Sequence, residues 1–136
     1  MCLSCDLLID GVWKNLSAQQ IFQTPDGARG ISYTIATVDS SGINISPQNI
    51  RINKKAFSAT IHYLKRKRHD RDHPIRIQSS NDPTMAGPLC TISRNKNNGV
   101  RCINYILPIL NNLRIVGVDS RRPNKTWIIR CDEADA

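Results

Sequence analysis

The sequence predicts an α+β fold, and three observations carry that prediction. The segment ISYTIATV at 31–38 alternates apolar and polar side chains, as a half-buried strand does. Residues 53–67 and 100–113 change to the spacing of amphipathic helices. Near the end of the chain, RIVGV and TWII are again strand-like and flank a polar turn. With 136 residues, 40% of them hydrophobic, the chain has the size of one domain, or of one domain with a small appendage.

Residues 1–52 are predicted to form a β-rich N-terminal extension. Ser17 is a candidate N-cap for a short helix at 18–22, and the following TPDGARG has the Pro and Gly residues of a turn. DSSG at 39–42 joins two alternating runs, which indicates a β-hairpin. The predicted strands are 31–38, 43–45 and 50–52. Because this part is too small for a secure core of its own, we expect it to pack on the helix that follows.

Residues 53–136 are predicted to form a second part that is mainly helical. Phe57, Ile61 and Leu64 recur at i, i+4 and i+7, which is typical of one buried helix face. Pro88 suits the first position of a helix, where its missing N–H costs little. The predicted elements are a helix at 53–67 capped by Asn53, a strand at 75–78, a helix from 88, a helix at 100–113, and strands at 114–118 and 126–129.

The helix at 100–113 has an apolar stripe and a remaining face, but it contains Pro108. The apolar residues are Val100, Ile103, Ile106 or Leu107, Leu110 and Leu113. The residues expected on the solvent face are Arg101, Asn104, Tyr105, Pro108 and Asn112. A proline inside a helix costs about 3 kcal/mol and removes a hydrogen bond. Either the helix kinks at Pro108, or it begins later with Asn104 as its cap, and the sequence leaves both open.

The charge balance predicts a polyanionic partner. Nineteen Lys and Arg residues stand against eleven Asp and Glu, which gives a formal charge of +8 and a pI near 9.6. Such an excess favours DNA, RNA or an acidic membrane surface. No apolar run approaches the roughly 20 residues that span a bilayer, and the first residues lack the pattern of a secretion signal. We therefore expect a cytoplasmic protein without a membrane partner.

From residue 53 onward the predicted order is helix, strand, helix, helix, strand, basic turn, strand. The run ILPILNNLRIVGV, followed by an Arg-rich loop and TWII, resembles the third helix and wing hairpin of winged helix-turn-helix domains. The resemblance covers roughly residues 53–130 and is of superfamily level. It implies a winged helix-turn-helix fold that binds double-stranded DNA, with the helix at 100–113 in the major groove.

The resemblance also implies which side chains contact DNA. Arg101, Asn104 and Tyr105 would face base edges or phosphates, and Arg and Asn can bond guanine and adenine edges in bidentate fashion. The wing tip would lie along the backbone or a minor groove, where charge adds affinity but little sequence information. Its basic residues are Arg121, Arg122 and Lys125. These side chains could instead belong to an ordinary helix surface and to the tip of a soluble hairpin. Trp127 is expected in the core rather than as a platform on which bases stack.

The segment KRKRHDRDH at 65–73 has the most local charge. Lys65, Arg66 and Arg68 are candidates for phosphate contacts, although a solvated helix end would also be cationic because of the helix dipole. A further alternative is a metal-dependent nuclease with ligands from this loop. Those ligands would be His69, Asp70, Asp72 and His73. Residues so close together in one loop seldom converge on one ion.

The five cysteines do not predict a metal or a disulfide framework. Cys2 and Cys5 form a CxxC pair, which is half of a zinc site, and Cys131 could complete it only if the termini meet. An odd number of cysteines favours free thiols. No phosphate-binding glycine loop, HExxH or GxSxG motif occurs, so neither a cofactor nor catalytic residues are predicted.

The sequence therefore predicts a protein that binds double-stranded DNA, either at specific sequences or generally. Its role would be transcription regulation, or DNA targeting in a mobile-element or defence system. One alternative is a winged-helix module that binds RNA or another protein, since a fold does not fix a function. The other is the nuclease described above. A homodimer is left open.

Overall fold

The computed structural model describes residues 4–129, which form four α-helices and two antiparallel β-sheets, so the predicted α+β class is confirmed. In chain order the elements are α1 Cys5–Asn15, β1 Ile21–Gln23, β2 Ser32–Asp39, β3 Gly42–Ser46, β4 Ile50–Asn53, α2 Lys54–Arg66, β5 Ile75–Arg76, α3 Pro88–Asn95, α4 Ile103–Asn112, β6 Val116–Asp119 and β7 Lys125–Ile128. Within 4–129, no helix is both long and apolar enough to cross a bilayer.

The N-terminal sheet is a meander in the order β1-β2-β3-β4, which confirms the predicted hairpin and third strand. Its alternation buries one face, from which Tyr33, Ile35, Ile43, Ile45 and Ile52 enter the core. At the β2–β3 turn, the Asp39 carboxylate accepts backbone N–H bonds from Ser41 and Gly42 at 2.9 and 3.0 Å. Arg51 on β4 pairs with it at 2.6 Å. These hydrogen bonds, of which that from Arg51 has the largest effect, lower the pKa of Asp39. They also join β2, β3 and β4 at this turn and so fix the register of the three strands.

The C-terminal sheet has the order β5-β7-β6. Thr126 and Ile128 of β7 face the core, so strand alternation places Lys125 and Trp127 on the outer face. Gly117 pairs with Trp127 across the β6–β7 ladder, and the indole lies over it. The expectation that Trp127 belongs to the core is therefore wrong. The inner face of β7 is occupied by its neighbours Thr126 and Ile128.

Two aromatic contacts join the N-terminal sheet and α1 to the rest of the molecule. Trp13 of α1 meets Phe57 of α2 edge-on, with ring centroids 5.1 Å apart, and its Nε1 donates to the Asp39 carbonyl at 2.7 Å. Tyr33 meets Tyr105 of α4 edge-on at 5.1 Å, and its hydroxyl donates to the Tyr105 carbonyl at 2.6 Å. One hydrophobic core thus runs through both parts of the chain. The expected packing of the N-terminal part on α2 is confirmed.

The helix predicted at 18–22 is wrong, and α1 went unpredicted. Residues 21–23 instead pair with β2, where Phe22 stacks on Tyr33 at 5.9 Å. The α1 helix begins after Ser4, whose Oγ accepts the Leu7 N–H at 3.3 Å. Only two of its side chains, Ile9 and Val12, are fully buried, so its stripe is too short to stand out in the sequence.

The α4 helix contains Pro108, as the first alternative expected, and the alternative with Asn104 as the cap is wrong. It begins at Ile103 with Cys102 as N-cap, and Pro108 lies inside it. Because Pro108 has no N–H, the Asn104 carbonyl receives no bond from it. The other predicted helices are confirmed, including Pro88 at the first position of α3. Asn53 is the N-cap residue of α2 but makes no side-chain capping bond.

Gly117→Ala should destabilise the protein, and Gly11→Ala should stabilise it. A Cβ at Gly117 would overlap Cε2 of Trp127, so the indole must move, at a cost of about 1–3 kcal/mol. A Cβ at Gly11, inside α1, would meet nothing within 4 Å, and Ala is favoured over Gly in a helix by about 1 kcal/mol. Urea denaturation of both variants measures the two signs. A neutral Gly117→Ala would contradict the Trp127–Gly117 contact.

Stability should fall above pH 10 in a way that depends on Tyr33. Burial, with a smaller effect of Tyr105, raises the pKa of Tyr33 well above its ordinary value. The unfolded chain loses this proton near pH 10 while the folded chain keeps it, so stability is intact below that pH and declines above it, by about 1.4 kcal/mol per pH unit. Urea melts from pH 8 to 11 should show a shallower decline in Tyr33→Phe. The control Tyr63→Phe leaves Tyr33 in place and should keep the wild-type decline.

Candidate functional site

A cleft of about 640 Å³ opens where four segments of the chain meet. Its walls are the loop 24–31, the end of the β5 segment at 77–79, the start of α4 at 101–105 and the β6–β7 turn at 122–124. We call it the Arg101 cleft. The loop is held against the turn by two contacts, Arg122 to Asp26 at 3.3 Å and Asn124 Nδ2 to the Pro25 carbonyl at 2.5 Å. The N-terminal sheet thereby contributes one wall of a site whose other walls belong to the C-terminal half.

The charges lining the Arg101 cleft are mainly positive. Arg29, Arg101 and Arg122 lie in its walls, and Asp26 is the one acidic residue among the described residues that line it. Arg122 is 63% exposed at its side chain, so its ion pair with Asp26 faces solvent and is weak. The arrangement leaves a net positive recess, which favours an anion.

Three polar atoms of the cleft are buried without a hydrogen-bond partner. They are Nε of Arg101, Oδ1 of Asn104 and Oγ of Ser79. Among residues 4–129 only five buried side-chain polar atoms have no partner, so more than half of them lie in this one place. A buried polar group without a partner is costly, and folded proteins contain few of them. The residues that line the cleft therefore include three whose side-chain polar atoms lack a protein partner.

The three residues that the sequence assigned to a groove-binding helix meet in this cleft, but not as a projecting face. Tyr105 is only 6% exposed, so the prediction that it shares a solvent face is wrong. Its ring lies under Tyr33 of β2, and the buried atoms of Arg101 and Asn104 lie in a recess rather than on a ridge. The N-terminal extension, whose position no local pattern reveals, covers this side of α4. Thr24 and Pro25 also line a small cavity with Pro108 and Asn111, farther along the same helix.

The β6–β7 turn presents its three predicted basic residues in different ways. Arg121 is 89% exposed and forms a two-bond ion pair with Asp119, at 2.9 and 3.0 Å. The bonds from Arg121 lower the pKa of Asp119 to about 2. Arg122 turns toward the cleft and Asp26. Lys125 lies on the outer face of the C-terminal sheet, in register with Arg76 and with Asp119. The pair of Arg122 with Asp26 went unpredicted because the two residues are 96 apart in sequence.

The basic segment after α2 lies at the opposite end of β7 from the turn. The His69 carbonyl accepts from the Ile128 N–H at 2.8 Å, whereas Ile77 N–H donates to Asn124 beside the turn at 3.1 Å. These two anchors are four residues apart on β7, which corresponds to about 13 Å. Arg68 is exposed in this segment, and in the last turn of α2 just before it Arg66 is exposed and Lys65 is half-buried. Basic side chains therefore stand at both ends of the C-terminal sheet.

The geometry does not favour a metal site in the loop at 69–73. His73 Nδ1 lies 3.0 Å from the Asp70 carboxylate, and His69 Nδ1 lies 3.0 Å from the His73 carbonyl. In the part of the chain from 4 to 129, no three His, Cys, Asp or Glu side chains are grouped closely enough to hold a metal ion. The proposed Cys2 and Cys131 ligands lie outside the described residues. Cys5 is half-buried, and Cys90 and Cys102 are buried free thiols.

Comparison with known proteins gives no relative on which to base a function. No protein-family model, no curated protein and no solved structure matches the chain. The case for a function therefore depends on the surfaces described above.

Proposed function

We propose that the protein binds double-stranded DNA through the outer face and turn of the C-terminal sheet. The observation that carries this proposal is the row formed by Arg76 and Lys125, which are paired across β5 and β7 on the outer face. Arg121 extends from the adjoining turn, and the basic segment after α2 lies about 13 Å away at the other end of β7. Such a strip can follow a phosphate backbone, and the formal charge of +8 favours the same partner.

The order of elements supports the same proposal. From α2 onward the chain runs helix, strand, helix, helix, strand, basic turn, strand, which is the order of a winged helix-turn-helix domain. In that comparison β6, β7 and their turn correspond to the wing, and α4 corresponds to the groove helix. We therefore include a winged helix-turn-helix fold for residues from 53 onward in the proposal.

The burial of α4 favours general backbone contact over the reading of bases. Six of the ten residues of α4 are buried, and the N-terminal extension covers the side on which Arg101 and Asn104 lie. A helix in this position cannot enter a major groove unless the extension moves away. Phosphate contacts from the sheet provide affinity and orientation but little sequence information. The proposed role is DNA targeting or regulation in which a further determinant selects the site.

The ion pair of Arg121 with Asp119 does not oppose this role. Both partners are on the surface, where ion pairs in water contribute little to stability. A phosphate can therefore replace the Asp119 carboxylate as the partner of Arg121. Trp127, on the same outer face, adds an aromatic surface beside Lys125.

Arg76→Gln combined with Lys125→Gln should weaken binding to all duplex sequences alike. Two lost phosphate contacts should make the plot of log affinity against log salt less steep by about 2. The measurement is fluorescence anisotropy with several 20-bp duplexes between 50 and 200 mM salt. The control Lys14→Gln with Lys55→Gln removes the same charge from α1 and the start of α2, where both side chains are exposed, and should bind like the wild type.

Three outcomes would contradict the proposal. Equal losses in the two double variants would mean that net charge alone attracts the duplex. Tighter binding of RNA or single strands than of duplex DNA would favour a different nucleic acid. The absence of any binding at 50 mM salt would leave the C-terminal sheet as a protein-binding surface.

A further inference from the structure

We propose that the Arg101 cleft binds a small phosphate ester of nucleotide size. This inference does not depend on duplex binding, because the cleft and the Arg76–Lys125 row are different surfaces. They share the β6–β7 turn, but Arg76 and Lys125 do not line the cleft. A ligand of this kind would bring the polar groups of the recess together around one molecule.

The arginines of the cleft suit a phosphate. Arg29, Arg101 and Arg122 approach it from three segments of the chain, which is the arrangement that surrounds a multivalent anion. A guanidinium group donates two parallel N–H bonds to a phosphate, and these charge-assisted bonds are stronger than neutral ones. Arg101 Nε is buried and has no protein acceptor, so a turn of this side chain toward the cleft would bring an unused donor to a ligand. The start of α4 adds a further preference for an anion.

The other unpartnered atoms identify what accompanies the phosphate. Asn104 Oδ1 is a buried acceptor without a donor, so it calls for an N–H or O–H group on the ligand. Ser79 Oγ can donate or accept. A sugar or a base with polar hydrogens would supply the missing donor.

The size and apolar surfaces of the cleft fit a molecule larger than an ion. Its volume of about 640 Å³ falls within the usual range for small-molecule sites, about 300–1,000 Å³. Pro25, Ile31 and Pro123 provide apolar wall on the sides contributed by the loop and the turn. Ile31 is otherwise an exposed large hydrophobic side chain at 61% accessibility. A sugar or a flat ring placed against it would remove apolar surface from water.

Titration calorimetry on the full chain tests the site with adenosine 5′-monophosphate as the probe. We expect a saturable 1:1 isotherm, with adenosine and inorganic phosphate each bound at least about tenfold more weakly, because each lacks one half of the contacts. A 5′-phosphorylated oligonucleotide carries the same phosphomonoester on a chain end. If only that oligonucleotide bound, and more tightly than the same oligonucleotide without its 5′-phosphate, the site would belong to nucleic-acid ends and the proposal would be overturned, as it would be if no mononucleotide or phosphorylated end bound.

Two substitutions should change the affinity for the probe in opposite directions. Arg101→Gln should weaken it at least about tenfold, since a charged hydrogen-bond donor is lost. Asp26→Asn should tighten it severalfold, because it removes the acidic side chain of the cleft and releases Arg122. The control Arg121→Gln makes the same change of charge one residue from Arg122 but outside the cleft, and should weaken binding far less than Arg101→Gln. Equal losses in Arg101→Gln and Arg121→Gln would overturn the site in favour of general attraction.

A thermal melt of each variant separates misfolding from lost binding. If Arg101→Gln does not fold, Arg101→Lys keeps the charge without the planar group and should still bind the probe several times more weakly. An unchanged affinity in Arg101→Lys would overturn the role of Arg101. Duplex binding is tested separately, with the variant that combines Arg76→Gln and Lys125→Gln. If either the cleft or the duplex proposal fails, the other is therefore still decided by its own measurement.

Discussion

The contact of Tyr33 with α4 is the interaction on which the rest of the structure depends. It places the N-terminal sheet against the last helix, with a buried ring pair and a 2.6 Å hydrogen bond to the Tyr105 carbonyl. Tyr33 is one of the largest fully buried side chains, and its hydroxyl is satisfied only by a residue 72 positions away. Because a buried hydroxyl without a partner is costly, this bond selects one position of the sheet on the helix.

That position decides which surfaces remain available for function. It buries the side of α4 that a winged helix would offer to a groove, and it brings the loop 24–31 beside the β6–β7 turn. Arg101 thereby lines the cleft between loop and turn, whereas Arg76 and Arg121 stay exposed on the C-terminal sheet and its turn. Addition of the N-terminal sheet therefore does more than enlarge the core, since it also redistributes the surfaces that a ligand can reach.

The sequence predicted the elements that depend on local pattern. Alternation revealed β2 and β3, and helical spacing revealed α2 and the apolar stripe of α4, because apolar side chains recur on one face of each element. The sequence did not predict that Tyr105 is buried, because its burial depends on contact with Tyr33, which lies on a strand distant in sequence. One signal was present: apolar residues at 103, 106, 107, 109 and 110 cover more than one helix face, and a helix apolar on most sides is usually buried. The expectation that Trp127 lies in the core was wrong because the register of β7 decides which face of the sheet its side chains occupy.

The two proposed surfaces meet at one turn, which has a thermodynamic consequence. Arg122 pairs with Asp26 and lines the cleft, while Arg121 and Lys125 stand on the same β6–β7 hairpin. A phosphate ester that drew Arg122 inward would add negative charge beside the hairpin and would reduce its attraction for DNA. Because coupling between binding sites is reciprocal, a bound duplex must reduce the affinity for the ester by the same factor. The sign of this coupling follows from like charges at short range, so the cleft would act on DNA binding as an antagonist.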